Sequence, residues 1–156
     1  MSDSVHETLY RFDVVLHPRP AGAVTAEERA DSFGLWSTLE VPKESLAEPF
    51  AVGFDDVLAA LDRLPRLVTE PDGAILWASA AAGQAWQVDG TLAERDGRAL
   101  AVELKGCCPA AAFDQLLEAF GWPQTPVMLQ VVRSGLFLDE ATFRRHAVAR
   151  GSCRAG

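Results

Sequence analysis

The chain has 156 residues, enough for one domain, and 49% of them are hydrophobic, which supports a packed core and excludes a disordered chain. Its net charge of −8 at pH 7 argues against a general nucleic-acid binder, whose affinity comes from Lys and Arg on phosphates. Cys107, Cys108 and Cys153 make no disulfide framework, and with His6, His17 and His146 scattered they match no zinc spacing.

The start, Met-Ser-Asp-Ser-Val-His-Glu, is polar and acidic, unlike a secretory signal, and no run approaches the length of a membrane span. With thiols suited to a reducing compartment, the expectation is a cytoplasmic protein with no membrane partner. Leu9 to Leu16 reads as a strand that His17-Pro18-Arg19-Pro20 ends, because proline removes a ladder donor. Thr25 to Ala30 is a short helix candidate, with Thr25 and Glu28 at capping-box spacing. Phe33 to Val41 is a strand or an irregular buried segment, and Pro42 to Pro49 a loop.

Phe54 to Leu64 is an amphipathic helix, with Val57, Leu58, Leu61 and Leu64 at helical spacing and Pro65 as its stop. Arg66 to Glu70 and Ala74 to Ser79 form a hairpin around a Pro71-Asp72-Gly73 turn, followed by a small-residue connection from Ser79 to Gly83. Pro109 to Phe120 is a second helix, opened by Pro109, ended by Gly121 and lined on one face by Phe113, Leu116, Leu117 and Phe120. Pro126 to Val132 is nearly all apolar and reads as a central strand. Leu136 to Leu138 is a short edge strand, and Asp139 caps a last helix, Glu140 to Ala149, before a frayed tail. Trp77, Trp86 and Trp122 are core residues by their size, or else stacking platforms for bases.

Between these helices lies the clearest hairpin, Gln87 to Gly106, two alternating runs around Asp96-Gly97. Val88, Leu92, Leu100, Val102 and Leu104 form its apolar set. Two registers compete. A two-residue type I′ loop pairs Arg95 with Arg98 and sets Asp89 opposite Leu104, on the other face from Glu103. A three-residue loop with a left-handed Gly97 pairs Glu94 with Arg98 and sets Asp89 directly opposite Glu103. In that second register Asp89, Glu103 and Lys105 share a face, and opposed Cβ atoms roughly 5 Å apart let both carboxylates reach one hard cation. Lys105 is then placed to polarise a metal-bound water or a phosphate oxygen. The plainer reading is a sheet with one solvated face, where Asp, Glu and Lys are ordinary.

Asp89, followed on the next strand by Glu103-Leu104-Lys105, resembles the motif of the restriction-endonuclease-like, or PD-(D/E)xK, nucleases. The resemblance covers about half of the chain. It implies a core of helix, three strands, helix and strand over 54–133, flanked by an N-terminal strand and loops (1–53) and a C-terminal helix and tail (134–156). It also implies Mg²⁺-dependent phosphodiester hydrolysis of a nucleic acid, with Asp89 and Glu103 as metal ligands and Glu103 and Lys105 as catalytic groups. Several members carry a glutamine on the following helix, for which Gln115 is the candidate. The chain departs from the family in having Ala119 and Phe120 where a tyrosine is expected, and in lacking an identifiable glutamate on the first helix.

The expectation is therefore a single α+β domain: a mixed, mostly antiparallel sheet with helices on one face. Its two candidate functions are a metal-dependent nuclease and a non-catalytic acidic protein-interaction module, such as a degenerate nuclease fold or the neutralising partner of a toxin. The acidic balance favours the second, since it suits a basic partner.

Overall fold

The computed structural model describes residues 8–79 and 85–152. The small-residue connection after Ser79, from residue 80 on, and Cys153 and the rest of the tail fall outside them. The chain folds as α+β. Its strands are β1 (Leu9–Pro18), β2 (Val24–Asp31), β3 (Gly34–Glu40), β4 (Leu67–Thr69), β5 (Ala74–Ala78), β6 (Gln87–Arg95), β7 (Arg98–Pro109), β8 (Val127–Val131) and β9 (Phe137–Asp139). Its helices are α1 (Phe54–Asp62), α2 (Ala110–Glu118) and α3 (Glu140–Ser152).

All nine strands join one sheet in the order β2-β3-β9-β8-β1-β7-β6-β5-β4. Every ladder is antiparallel, so the expected mixed sheet is corrected. Tight turns join β2 to β3, β4 to β5, β6 to β7 and β8 to β9, and such short links admit only antiparallel neighbours.

The long strand β1 is the spine. Tyr10, Phe12, Val14 and Leu16 alternate inward, where Phe113 of α2 and Phe143 of α3 meet them. The Phe113 ring lies 5.3 Å from that of Phe12 and 4.9 Å from that of Phe143. Val57 and Leu61 of α1 join the same core beside Leu67, Ile75 and Trp77. The three helices therefore cover one face of the sheet. On the other, the 3-10 segment Lys43–Ala47 brings Leu46 onto a small cluster of Ala23, Leu39 and Met128. Trp77 is buried and Trp86 and Trp122 pack against the core.

Three local expectations change. Thr25 to Ala30 is strand, not helix: Asp31 Oδ1 accepts the Phe33 N–H at 2.8 Å and tightens the turn, so residues 24–31 fold back on β3. Glu28 pairs with Ser37 in that ladder instead of boxing Thr25. A six-residue helix has too few hydrogen bonds to offset nucleation, whereas the hairpin makes a ladder at once. Residues 136–138 are not an edge, since β9 is held between β3 and β8.

The order of elements does not confirm a restriction-endonuclease-like core. Four strands, not three, lie between α1 and α2, and β1 separates β7 from β8.

Candidate functional site on the open sheet face

The β6–β7 hairpin turns through Asp96 and Gly97, whose φ angles are 53° and 80°. Both are left-handed, as a two-residue type I′ loop requires, and Arg95 pairs with Arg98. The register then slips by one: Glu94 pairs with Ala99 but Ala93 pairs with Ala101, leaving Leu100 as the extra residue of a bulge. Across the bulge the buried position passes from Leu100 to Ala99, so Ala99 takes the core place expected for Leu100.

This combination of turn and bulge decides the site. Asp89 stands directly opposite Lys105, and Thr91 opposite Glu103. The expected direct opposition of Asp89 and Glu103 is corrected, because neither single turn geometry supplies this register. The three charged residues nevertheless share the helix-free face, as alternation along paired strands demands. Asp89 and Glu103 become diagonal neighbours, for which backbone separations of roughly 7–8 Å are usual.

β1 adds a residue that the hairpin alone did not reveal. Asp13 pairs with Lys105 from the other side, so Leu76, Asp89, Lys105 and Asp13 form one row across β5, β6, β7 and β1. The alternation of Arg11 and Asp13 with Tyr10, Phe12 and Val14 was the available signal that Asp13 faces solvent; its neighbour in space was not readable. Asp13, Asp89, Thr91, Glu103 and Lys105 line a shallow recess of about 180 Å³. Gln87 Nε2 donates to Asp89 Oδ1 at 3.3 Å and steadies that carboxylate.

The recess thus sets three carboxylates around one ammonium. Lys105 serves as counter-charge to acids on both neighbouring strands, although no ion pair within 4 Å forms there among the described residues. Among those residues, no group of three or more His, Cys, Asp or Glu side chains is placed to hold a metal ion. Gln115 is exposed on α2, a helix that packs on the covered face. The sheet separates it from the recess.

A second polar cluster lies where the β2–β3 hairpin meets α3. Asp31 Oδ2 accepts from His146 Nε2 at 2.7 Å, and Asp31 Oδ1 accepts from Trp36 Nε1 at 2.9 Å and from the Phe33 N–H. Burial opposes the charge on Asp31, yet these donors hold its carboxyl below the ordinary range. His146 is buried and its Nδ1 finds no hydrogen-bond partner among the described residues. On the open face, burial pushes the His17 imidazole below its ordinary value, against a 3.1 Å bond to Gln130 Oε1.

Together the fold and the recess define a two-layer α+β protein with an open-faced antiparallel sheet and an acidic cleft on that face. Comparison with protein-family models, with curated proteins and with solved structures gave no match. No helix among the described residues is long and apolar enough to cross a membrane.

Proposed function

We propose that the chain is a non-catalytic acidic interaction module that docks a basic protein surface on the open face of its sheet. The observation that carries this reading is the row through Lys105. Carboxylates flank the ammonium on both sides, Glu103 adds a third, and exposed apolar side chains stand at the row's ends. Leu76 begins the row, and Val132, joined to the row by its N–H donating to the Asp13 carbonyl, ends it. Such a surface offers acceptors for a lysine or arginine at its centre and apolar contact on either side, the arrangement of polar and anchoring groups that protein interfaces use. The overall charge of −8 steers a basic partner toward it.

A photo-crosslinker placed at Thr91 tests the reading in the chain's own host. A defined basic protein that crosslinks to the wild type and is lost on Asp89→Lys supports it. Equal crosslinking by both chains would overturn it.

The shared face of Asp89, Glu103 and Lys105 also supports a second reading, the Mg²⁺-dependent nuclease, with Asp89 and Glu103 holding the ion and Lys105 assisting the attacking water. Cleavage of DNA or RNA in Mg²⁺ or Mn²⁺, lost in Asp89→Asn, would put this reading first. The staggered register and the departure from the family's core order favour the interaction module.

A further inference from the structure

The sheet is forked at one end. β8 pairs with β1 only along Val14 to Pro18, so the Leu9–Asp13 half of β1 has β7 on one side and, among the described residues, no strand on the other. On the far side of the gap, β3 is tied to β9 through Leu39 alone, and the β2–β3 turn stands clear of the ladder. α3 closes the gap from the core face, where His146 packs against the rings of Phe33 and Trp36. What remains is a cavity of about 410 Å³ between β1, the β2–β3 turn, the β8–β9 turn and the end of α3.

Its charges are unusual for so acidic a chain. Lys105, Arg133 and Arg150 all line it, and none has an ion-pair partner within 4 Å among the described residues. Arg150 lies over the Phe33 ring at 5.1 Å, which fixes its guanidinium at the wall. Of the two acids in the wall, Asp31 has both oxygens committed to His146, Trp36 and Phe33. Asp13 alone is uncommitted.

We propose that this cavity binds a small phosphate ester that also carries a hydroxyl group. Three converging cations match a dianion better than a monocarboxylate, and the planar guanidinium of Arg150 presents paired donors to phosphate oxygens. The volume suits a phosphate with a short organic arm. Asp13, on the side nearest the acidic recess, accepts from the ligand's hydroxyl. The site shares Lys105 and Asp13 with the proposed docking row, whereas Arg133 and Arg150 take no part in that row, so substituting those two arginines tests this site apart from that reading.

The test is titration of the ¹⁵N-labelled chain with inorganic phosphate, glycerol 3-phosphate and acetate, followed by amide shifts. Expected are saturable shifts around Ser32, Lys105 and Ser134, with glycerol 3-phosphate tighter than phosphate and acetate weakest. Arg133→Gln and Arg150→Gln each weaken glycerol 3-phosphate by about tenfold or more, the loss of one charge-assisted bond. Arg95→Gln, at the hairpin tip, leaves it unchanged. Because Arg150→Gln also removes the contact with Phe33, the exposed Arg133 keeps the test independent of folding. No saturable shift with either phosphate overturns the proposal, and so does equal binding by Arg133→Gln and Arg95→Gln. Inorganic phosphate binding as tightly as its ester overturns the assignment of an organic arm.

Discussion

Asp31 reaches His146 across 2.7 Å and so ties the β2–β3 hairpin to α3, two elements more than a hundred residues apart in sequence. In the ladder β3 meets β9 at a single pair, so this hydrogen bond joins the packing of Trp36 and Leu39 in holding the hairpin to the sheet. Asp31→Ala strips the Phe33 N–H, the Trp36 indole and His146 of their acceptor in one change. Leaving a buried donor unpaired costs about 1–3 kcal/mol, and thermal melting of the variant is expected to show a loss of at least that size.

The same carboxylate gives stability a pH dependence of known sign. Its folded pKa is depressed below 3.8, so the unfolded chain binds the proton more readily. The contribution of Asp31 is complete above 3.8 and is lost as pH falls through the lower folded value. His17, also depressed, from 6.5, acts in the same direction: its contribution is complete above 6.5 and fades as pH falls below it. Melting temperature measured from pH 8 to pH 3 is expected to fall in two steps, and His17→Gln removes the upper one. A flat profile between pH 7 and pH 5 in the wild type would contradict the burial of a neutral His17.

Phe113 is fully buried at the meeting of α2, β1 and α3, with ring contacts to Tyr10, Phe12 and Phe143. Phe113→Ala leaves a cavity among rings that cannot collapse into it. The expected cost is about 3–5 kcal/mol, read as the shift in denaturation midpoint.

Gly106 has φ of +137°, and a Cβ there would lie 2.1 Å from the Gln87 carbonyl oxygen. Gly106→Ala must therefore push β6 away from β7 beside Val88, its ladder partner. A loss of at least about 1–3 kcal/mol is expected. Hydrogen exchange should show the loss first at Val88 and Asp89; exchange there as slow as in the wild type would mean the strands absorb the methyl group.

Lys105→Glu sits on the exposed face of the sheet. Stability is expected to stay within about 0.5 kcal/mol, less whatever the like-charge contact with Asp13 and Asp89 costs, in the order of 0.2–1 kcal/mol. Calorimetry with Mg²⁺ or Mn²⁺ separates the two functional readings. The docking module gives no specific heat; a nuclease site gives binding that Asp89→Asn abolishes.

Local patterns carried much of the outcome. The spacing of Val57 and Leu61, and of Phe113, Leu116 and Leu117, fixed α1 and α2 and the faces they bury, because helix periodicity is written within a few neighbouring residues. Alternation fixed the strands of the Gln87–Gly106 hairpin and placed Asp89, Glu103 and Lys105 outside the core. The register between those strands was a different matter. A two-residue turn and a bulge at Leu100 together set it, and a bulge depends on which side chain, Ala99 or Leu100, the core will accept against α1 and the neighbouring strands. The partners brought from far along the chain, Asp13 beside Lys105, Asp31 beside His146, and Arg150 across from Arg133, were decided by strand order and helix docking alone. Sequence determines which faces a segment can bury; only the packing of the whole sheet determines whose charges then meet on the face left open.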